Sequence, residues 1–192
     1  EYLFSKGLKT YLYPSGDNKK IEHMITFNTN DVVDQINQVI QILKSKYSVA
    51  APSGISHLFY LGTDDILFAN HTDLLIHTNY ISQNSLFCLK SIIIKDKNVI
   101  PPSRTIFIDI ILQDWTYMEF ENYFMAVENT AEELRISLHD LCYLKESNIP
   151  WPFTLSNLCN ELGITRILST DRLLSRHTYT NLLQIGMRIK VL

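Results

Sequence analysis

Phe153-Thr154-Leu155-Ser156-Asn157-Leu158-Cys159-Asn160-Glu161-Leu162-Gly163 opens the stretch whose reading decides the fold. It runs on through Ile164-Thr165-Arg166-Ile167-Leu168-Ser169-Thr170-Asp171, then Arg172 to Gly186, and closes with Met187-Arg188-Ile189-Lys190-Val191-Leu192. Thr154 or Ser156 can cap a short helix whose apolar face is Leu155, Leu158, Cys159 and Leu162, and Gly163 can close it in the left-handed conformation. Arg166 to Leu168 is a short strand-like run that stops at a Ser-Thr-Asp corner. Asp171 suits the first turn of a second helix, where its charge meets the positive end of the dipole. That helix is predicted to reach about Ile185, with Leu173, Leu174, Leu182 and Leu183 apolar and Gly186 ending it. Arg188 to Leu192 alternates like a strand. Helix, strand, acidic corner, helix, strand, with short loops, predicts a mostly parallel sheet in an α/β domain.

The 192 residues suffice for one sizeable domain, and 46% of them are apolar, enough for a buried core and too many for a disordered chain. Apolar runs fall far short of a membrane span, and no signal-peptide pattern is present, so a membrane partner is not expected. The first residue is Glu1 and not Met, which suggests a piece of a longer protein. Cys88, Cys142 and Cys159 are odd in number and far apart, which supports neither a disulfide framework nor a zinc ribbon and favours a reducing compartment, cytosol or nucleus. Net charge is −3 but uneven. Between Asp109 and Glu146 nine acids face only Arg135 and Lys145, whereas from Ile164 onward Arg166, Arg172, Arg176, Arg188 and Lys190 face Asp171 alone. The plain reading is two solvated faces of opposite sign. The sharper one is a basic edge for nucleic acid or a partner, or an acidic face for a basic partner.

Upstream, residues 8–28 read as a hairpin: a β-rich Lys9 to Tyr13, a turn at Pro14-Ser15-Gly16-Asp17-Asn18, and a return strand at Met24 to Phe27. Asn30 or Thr29 can cap a helix from Asp31 to about Tyr47, whose Val32, Val33, Ile36, Val39, Ile40 and Leu43 have the spacing of one buried stripe. Ala51-Pro52-Ser53-Gly54 is the expected boundary. Residues 1–50 form a hairpin-plus-helix extension packed on the main domain, residues 51–192. Leu58 to Leu61 reads as a strand, Ile66 to Ala69 is apolar again, and Leu86 to Ile94 is apolar with Ile92-Ile93-Ile94 as its best strand segment. Thr105-Ile106-Phe107-Ile108-Asp109-Ile110-Ile111-Leu112 reads as the strongest strand, apolar enough to be buried on both faces. Trp115 to Val127 reads as a helix. Thr130-Ala131-Glu132-Glu133 is a capping box that opens a helix to about Lys145, with Leu134, Leu138, Leu141 and Cys142 inward.

The run from Leu158 to Leu174, continued by Gly186 to Val191, resembles the closing third of PIN domains, small α/β domains of nuclease type built on a parallel sheet. Ser169-Thr170-Asp171 matches the family's last acidic corner. That resemblance implies a PIN-like three-layer sandwich with a mostly parallel central sheet. It also implies a ribonuclease site in which clustered carboxylates hold Mg²⁺ or Mn²⁺, hard cations that take oxygen ligands and activate water. Asp64, Asp65, Asp109 and Asp171 are the candidate ligands. The first family acid is replaced by Gly62, and Phe153-Thr154 stands where another acid opens the helix before the last corner. The resemblance therefore implies a degenerate, non-catalytic domain with no metal or cofactor, of the kind used for protein interaction and scaffolding in nuclear assemblies of RNA silencing and heterochromatin. An active ribonuclease is one alternative, and an unrelated α/β scaffold that binds a protein partner is another.

His57, His71 and His77 with Asp64, Asp65 and Asp73 form the densest set of possible ligands, but their spacing matches no zinc motif and the plainer reading is loops and strand ends. The chain has no Gly-rich phosphate loop and no Gly-x-Ser-x-Gly elbow. Tyr11, Tyr13, Trp115, Tyr117, Phe120, Tyr123 and Phe124 are read as core before base-stacking platform.

Overall fold

A computed structural model of the chain describes residues 10–12, 24–26, 31–51, 56–59, 65–72, 85–112, 117–147, 149–165 and 171–189. Four strands form a parallel sheet: β3 (Ser48–Ala50), β4 (Ile66–His71), β5 (Leu86–Leu89) and β8 (Leu173–Leu174), in that order. Side chains alternate across it. Ile66, Phe68, Phe87 and Leu174 point to one face, where they join a core with α3 (Arg104–Leu112), α6 (Leu155–Glu161) and α7 (Arg176–Met187). Leu67, Ala69, Leu86 and Cys88 point to the other, beneath Leu134, Leu138 and Leu141 of α5 (Ala131–Glu146). Helices therefore cover both faces, as the strand–helix order of the tail requires.

Local signals hold where they were strongest. Thr130 Oγ1 accepts from the Glu133 amide, and Glu133 Oε2 accepts from the Thr130 amide at 2.6 Å, completing the capping box. Thr154 caps α6 by accepting from the Asn157 amide, and Gly163 follows with φ +70°. Gly186 sits inside the last turn of α7 rather than ending it, because the helices cross there. A methyl group at Gly186 would lie 2.6 and 2.7 Å from the two Cδ atoms of Leu162, itself buried. Gly186→Ala is expected to lower unfolding stability by about 2 kcal/mol through overpacking, although alanine is the better helix former. Chemical denaturation measures this, and a stabilised variant would mean that Leu162 moves aside freely.

Several expectations are overturned. Thr105–Leu112 is not a strand: the run forms α3, with Phe107, Ile108, Ile110, Ile111 and Leu112 all buried. An apolar run buried nearly all round looks the same as helix or as central strand, so the pattern alone does not choose between them. Leu58 and Phe59 lie in a helical turn, α2 (Ser56–Phe59). The predicted 115–127 helix is split into α4 (Tyr117–Tyr123) and β7 (Phe124–Val127), and β7 pairs antiparallel with β6 (Ser91–Ile94). The N-terminal strands β1 (Thr10–Leu12) and β2 (Met24–Thr26) pair parallel, so they are not a hairpin. Nor does Asp171 open a helix. It precedes β8, and Ser175 caps α7 by accepting from the Thr178 amide. Arg188 and Ile189 are the turn after α7, while Arg166 to Thr170 and Lys190 to Leu192 lie outside the described residues.

Helix α1 (Val32–Lys44) exists much as expected, capped by Asp31 and not by Asn30 or Thr29, but it is turned over. Its inward residues are Gln38 and Ile42. Val32, Val33 and Ile36 are 67%, 65% and 56% exposed, and Val39, Ile40 and Leu43 are exposed too. At 3.6 residues per turn the six apolar side chains span an arc of about 120°, and Gln38 and Ile42 lie about 140° from its centre.

Candidate functional site

Among the described residues, the candidate carboxylates Asp65, Asp109 and Asp171 form no metal-holding group. Asp64 lies outside the described residues. Asp65 is buried immediately before β4, with Lys145 Nζ 2.6 Å from its Oδ2. Asp171 is exposed, and its Oδ1 accepts from the Ser156 amide at 2.9 Å and the Arg172 amide at 3.0 Å, in the first turn of α6. Asp109 is half-buried within α3. Asp65 and Asp171 thus stand where strands begin. In open parallel sheets ligands bind beyond the ends where strands finish. Among the described residues, no group of three or more His, Cys, Asp or Glu side chains is arranged to hold a metal ion.

The basic edge also changes character. Arg166 and Lys190 are outside the described residues. Arg172 is only 3% exposed, its guanidinium 5.9 Å over the Phe87 ring, and burial lowers its pKa from the ordinary arginine value. It belongs to the interior and not to a nucleic-acid surface. Arg176 is committed to Asp140, its backbone amide donating to Oδ2 at 2.9 Å and its Nε to Oδ1 at 2.6 Å. Arg188 is exposed at the C-terminus of α7, where a cation favours the negative end of the helix.

What the fold does assemble, where the parallel strands finish, is a buried polar network that sequence reading missed. Thr178 Oγ1 accepts from the Leu89 amide at 2.9 Å and from Ser175 Oγ at 3.2 Å. Asn129 donates through Nδ2 to the Leu89 carbonyl, and its own amide donates to Asn70 Oδ1 at 2.7 Å. Asn70 holds the left-handed conformation, φ +54°, which Asn tolerates better than most residues, at the point where β4 slips register against β5. Ser137 Oγ lies 3.1 Å from Cys88 Sγ. Burial raises the Cys88 pKa and keeps the thiol protonated, the opposite of an activated nucleophile. Apart from Ser175 and Thr178, 3 positions apart, the partners lie 40 to 89 positions apart in sequence, so no local spacing announced them.

Ser91, His177 and Glu133 meet here as well. Ser91 Oγ is 2.8 Å from His177 Nε2, and Glu133 Oε1 is 3.5 Å from the same nitrogen. A hydrolytic triad needs the serine and the carboxylate on opposite ring nitrogens, so that the imidazole can take a proton from one while the other orients it. Glu133 is also tied into the capping box. The arrangement therefore works as a clamp between β6, α5 and α7.

At the end of β4, His71 is buried, packs edge-on against Phe68 at 5.2 Å, and hydrogen-bonds the Ala50 backbone. Its Nε2 has no hydrogen-bond partner, and burial holds its pKa down at about 4. His57, His77 and Asp73, grouped with it in the sequence, carry no described side chains. No helix among the described residues is long and apolar enough to cross a membrane. No family model, no curated protein and no solved structure matches this chain.

Proposed function

We propose that the chain is a non-catalytic protein-interaction domain that receives an amphipathic helix of a partner protein along α1. The observation that carries this is the outward apolar face of α1. Val33, Ile36, Ile40 and Leu43 follow a three-four-three spacing, the seam that a second helix packs against. Gln35 and Asn37 flank it with Lys44 beside its last turn, so the partner helix is selected mainly by apolar fit, with one positive charge at the C-terminal end of the seam. The commitment of Asp65 to Lys145 and of Asp171 to two backbone amides agrees with a domain whose carboxylates serve the fold. The finer form of the proposal, a degenerate PIN-like domain in a nuclear RNA-silencing or heterochromatin assembly, rests on the parallel sheet and on the sequence resemblance of the tail.

The test is a paired substitution, Val33→Glu with Ile36→Glu. Both side chains are more than half exposed, so the unfolding free energy is expected to stay within about 0.5 kcal/mol of the parent. Proteins that co-purify with the full-length chain are expected to fall at least tenfold in the variant. Unchanged co-purification would reject α1 as the docking face. RNA cleavage that requires Mn²⁺ and is abolished by Asp171→Asn would overturn the non-catalytic reading.

A further inference from the structure

A second surface, separate from α1, follows from how β6 and β7 are paired. The ladder sets Ser91 opposite Val127, Ile92 opposite Ala126, Ile93 opposite Met125 and Ile94 opposite Phe124. On the side of β6 away from β7, the Asn181 side chain of α7 acts as a mock strand. Its Oδ1 accepts from the Ile92 amide at 2.9 Å, and its Nδ2 donates to the Ile92 carbonyl at 3.2 Å. Both backbone groups of Ile92 therefore point away from β7. In an antiparallel ladder the hydrogen-bonded and non-bonded pairs alternate, so Ile92–Ala126 is a non-bonded pair, flanked by the bonded pairs Ser91–Val127 and Ile93–Met125. The Lys95 amide donates to the Tyr123 carbonyl at 3.0 Å, the bond that the same alternation requires one step further on. It follows that the N–H and C=O of Ala126 are aimed outward, along the free edge of β7. One edge of this ribbon is thus stoppered by Asn181, and among the described residues no strand pairs with the other.

The face beside that open edge is apolar. Ile93, Met125 and Val127 share it and are 47%, 48% and 38% exposed. Acids bracket β7 along its own line: Glu121 precedes it and Glu128 follows it, both exposed. Lys90 and Lys95 stand on the β6 side. Lys90 reaches Glu128 only at 3.5 Å, and Lys95 Nζ donates to the Glu121 backbone carbonyl, which leaves the Glu121 carboxylate to solvent. The two acids thus lie on the β7 segment itself, one near each end of the strand that an added segment would pair with.

We infer that the free edge of β7 is a strand-addition site for an extended segment of a partner protein, one with apolar side chains at alternate positions and Lys or Arg at both ends. Main-chain hydrogen bonds to Ala126 supply the pairing, and the Ile93–Met125–Val127 face receives the alternate apolar side chains. Glu121 and Glu128 select the basic ends.

The open amide also provides a discriminating variant. Proline is tolerated on an edge strand where its missing N–H faces outward. Ala126→Pro should leave the β6–β7 ladder whole and close the edge. The probe is a phage-displayed library of random twelve-residue linear peptides, selected on the full chain. Recovered peptides are expected to alternate apolar and polar residues between basic ends, and to bind Ala126→Pro at least tenfold more weakly. Glu121→Lys with Glu128→Lys should reduce binding similarly while leaving Ala126 intact. Circular dichroism melts check that both variants remain folded; should Ala126→Pro fail that check, the charge-reversed variant carries the test alone. Selection of no peptide, or of peptides that bind the folded variants as well as the parent, overturns the inference. Helical apolar peptides lost only in the Val33→Glu, Ile36→Glu protein would likewise overturn it while supporting α1 as the docking face.

Discussion

Replacing Arg176 with Met is expected to cost about 3 kcal/mol of unfolding free energy at neutral pH. Its partner Asp140 is fully buried on α5, whereas Arg176, at the first position of α7, has 47% of its side chain exposed. Removing the arginine strands a carboxylate in the interior with only the residue 176 amide to satisfy it, and an uncompensated buried charge is among the most destabilising changes known. Removing the carboxylate instead, as in Asp140→Leu, should cost less, about 1 to 2 kcal/mol. The orphaned guanidinium can turn to water, and what is lost is mainly the acceptor for the first α7 amide. The double variant should resemble Asp140→Leu alone, a non-additivity of about 3 kcal/mol that equilibrium urea unfolding can resolve. The contact spans the molecule: α5 covers one sheet face, α7 packs on the other, and this pair ties them where the strands finish. If Arg176→Met costs less than about 1 kcal/mol, Asp140 is wetter than its burial indicates.

Stability is also expected to fall by about 3 kcal/mol as pH drops from about 6.5 to about 4 because of His71 alone. Its pKa is held at about 4 in the folded chain, and an unfolded histidine titrates near 6.5. Between those values the unfolded state binds a proton that the folded state refuses, so acid favours unfolding. The contribution is complete above pH 6.5 and is lost progressively toward pH 4. His71→Phe keeps an aromatic ring beside Phe68 and removes the titration. Denaturation curves at pH 7, 6 and 5 should show the parent weakening across that range and the variant much less so, most clearly above pH 5, where carboxylates add little. Equal slopes in the two proteins would reject His71 as the source. The same experiment bears on the orphaned Nε2. A donor present in solution would hold the ring neutral and deepen the acid sensitivity.

Asp171 stands away from the strand-to-helix corner for a traceable reason. Ser169-Thr170-Asp171 was read as the corner that ends a strand. In the fold, Asp171 precedes β8, and the strand-to-helix corner falls four residues later at Ser175. A signal for this was present: Ser175, with Thr178 three positions on, is a capping pattern, but Asp171 offered an earlier plausible helix start. Only the pairing of Leu173 and Leu174 with Leu86 and Phe87 decides between them. Likewise the six apolar residues of α1 were visible as a stripe, while the side of the helix that faces the body was not. Periodicity reports that a face exists and is silent about what covers it.

The sequence alone determined what depends on neighbours within about four residues. That includes the capping box at Thr130 and Glu133, a helix opened at Thr154 or Ser156 with Gly163 after it, most of the span of α1, and, from the helix–strand order of the tail, the α/β class with a parallel sheet. Caps and left-handed glycines are hydrogen-bond and steric facts of a few adjacent peptides, so they can be read one stretch at a time. Tertiary structure decided the rest: that Thr105–Leu112 coils, that α1 turns its apolar face outward, that Arg172 goes inside, and that Asp140 meets Arg176 and Ile92 meets Asn181. Each of these turns on which distant surface or side chain is free to accept a partner, a property of the assembled chain that no local window contains.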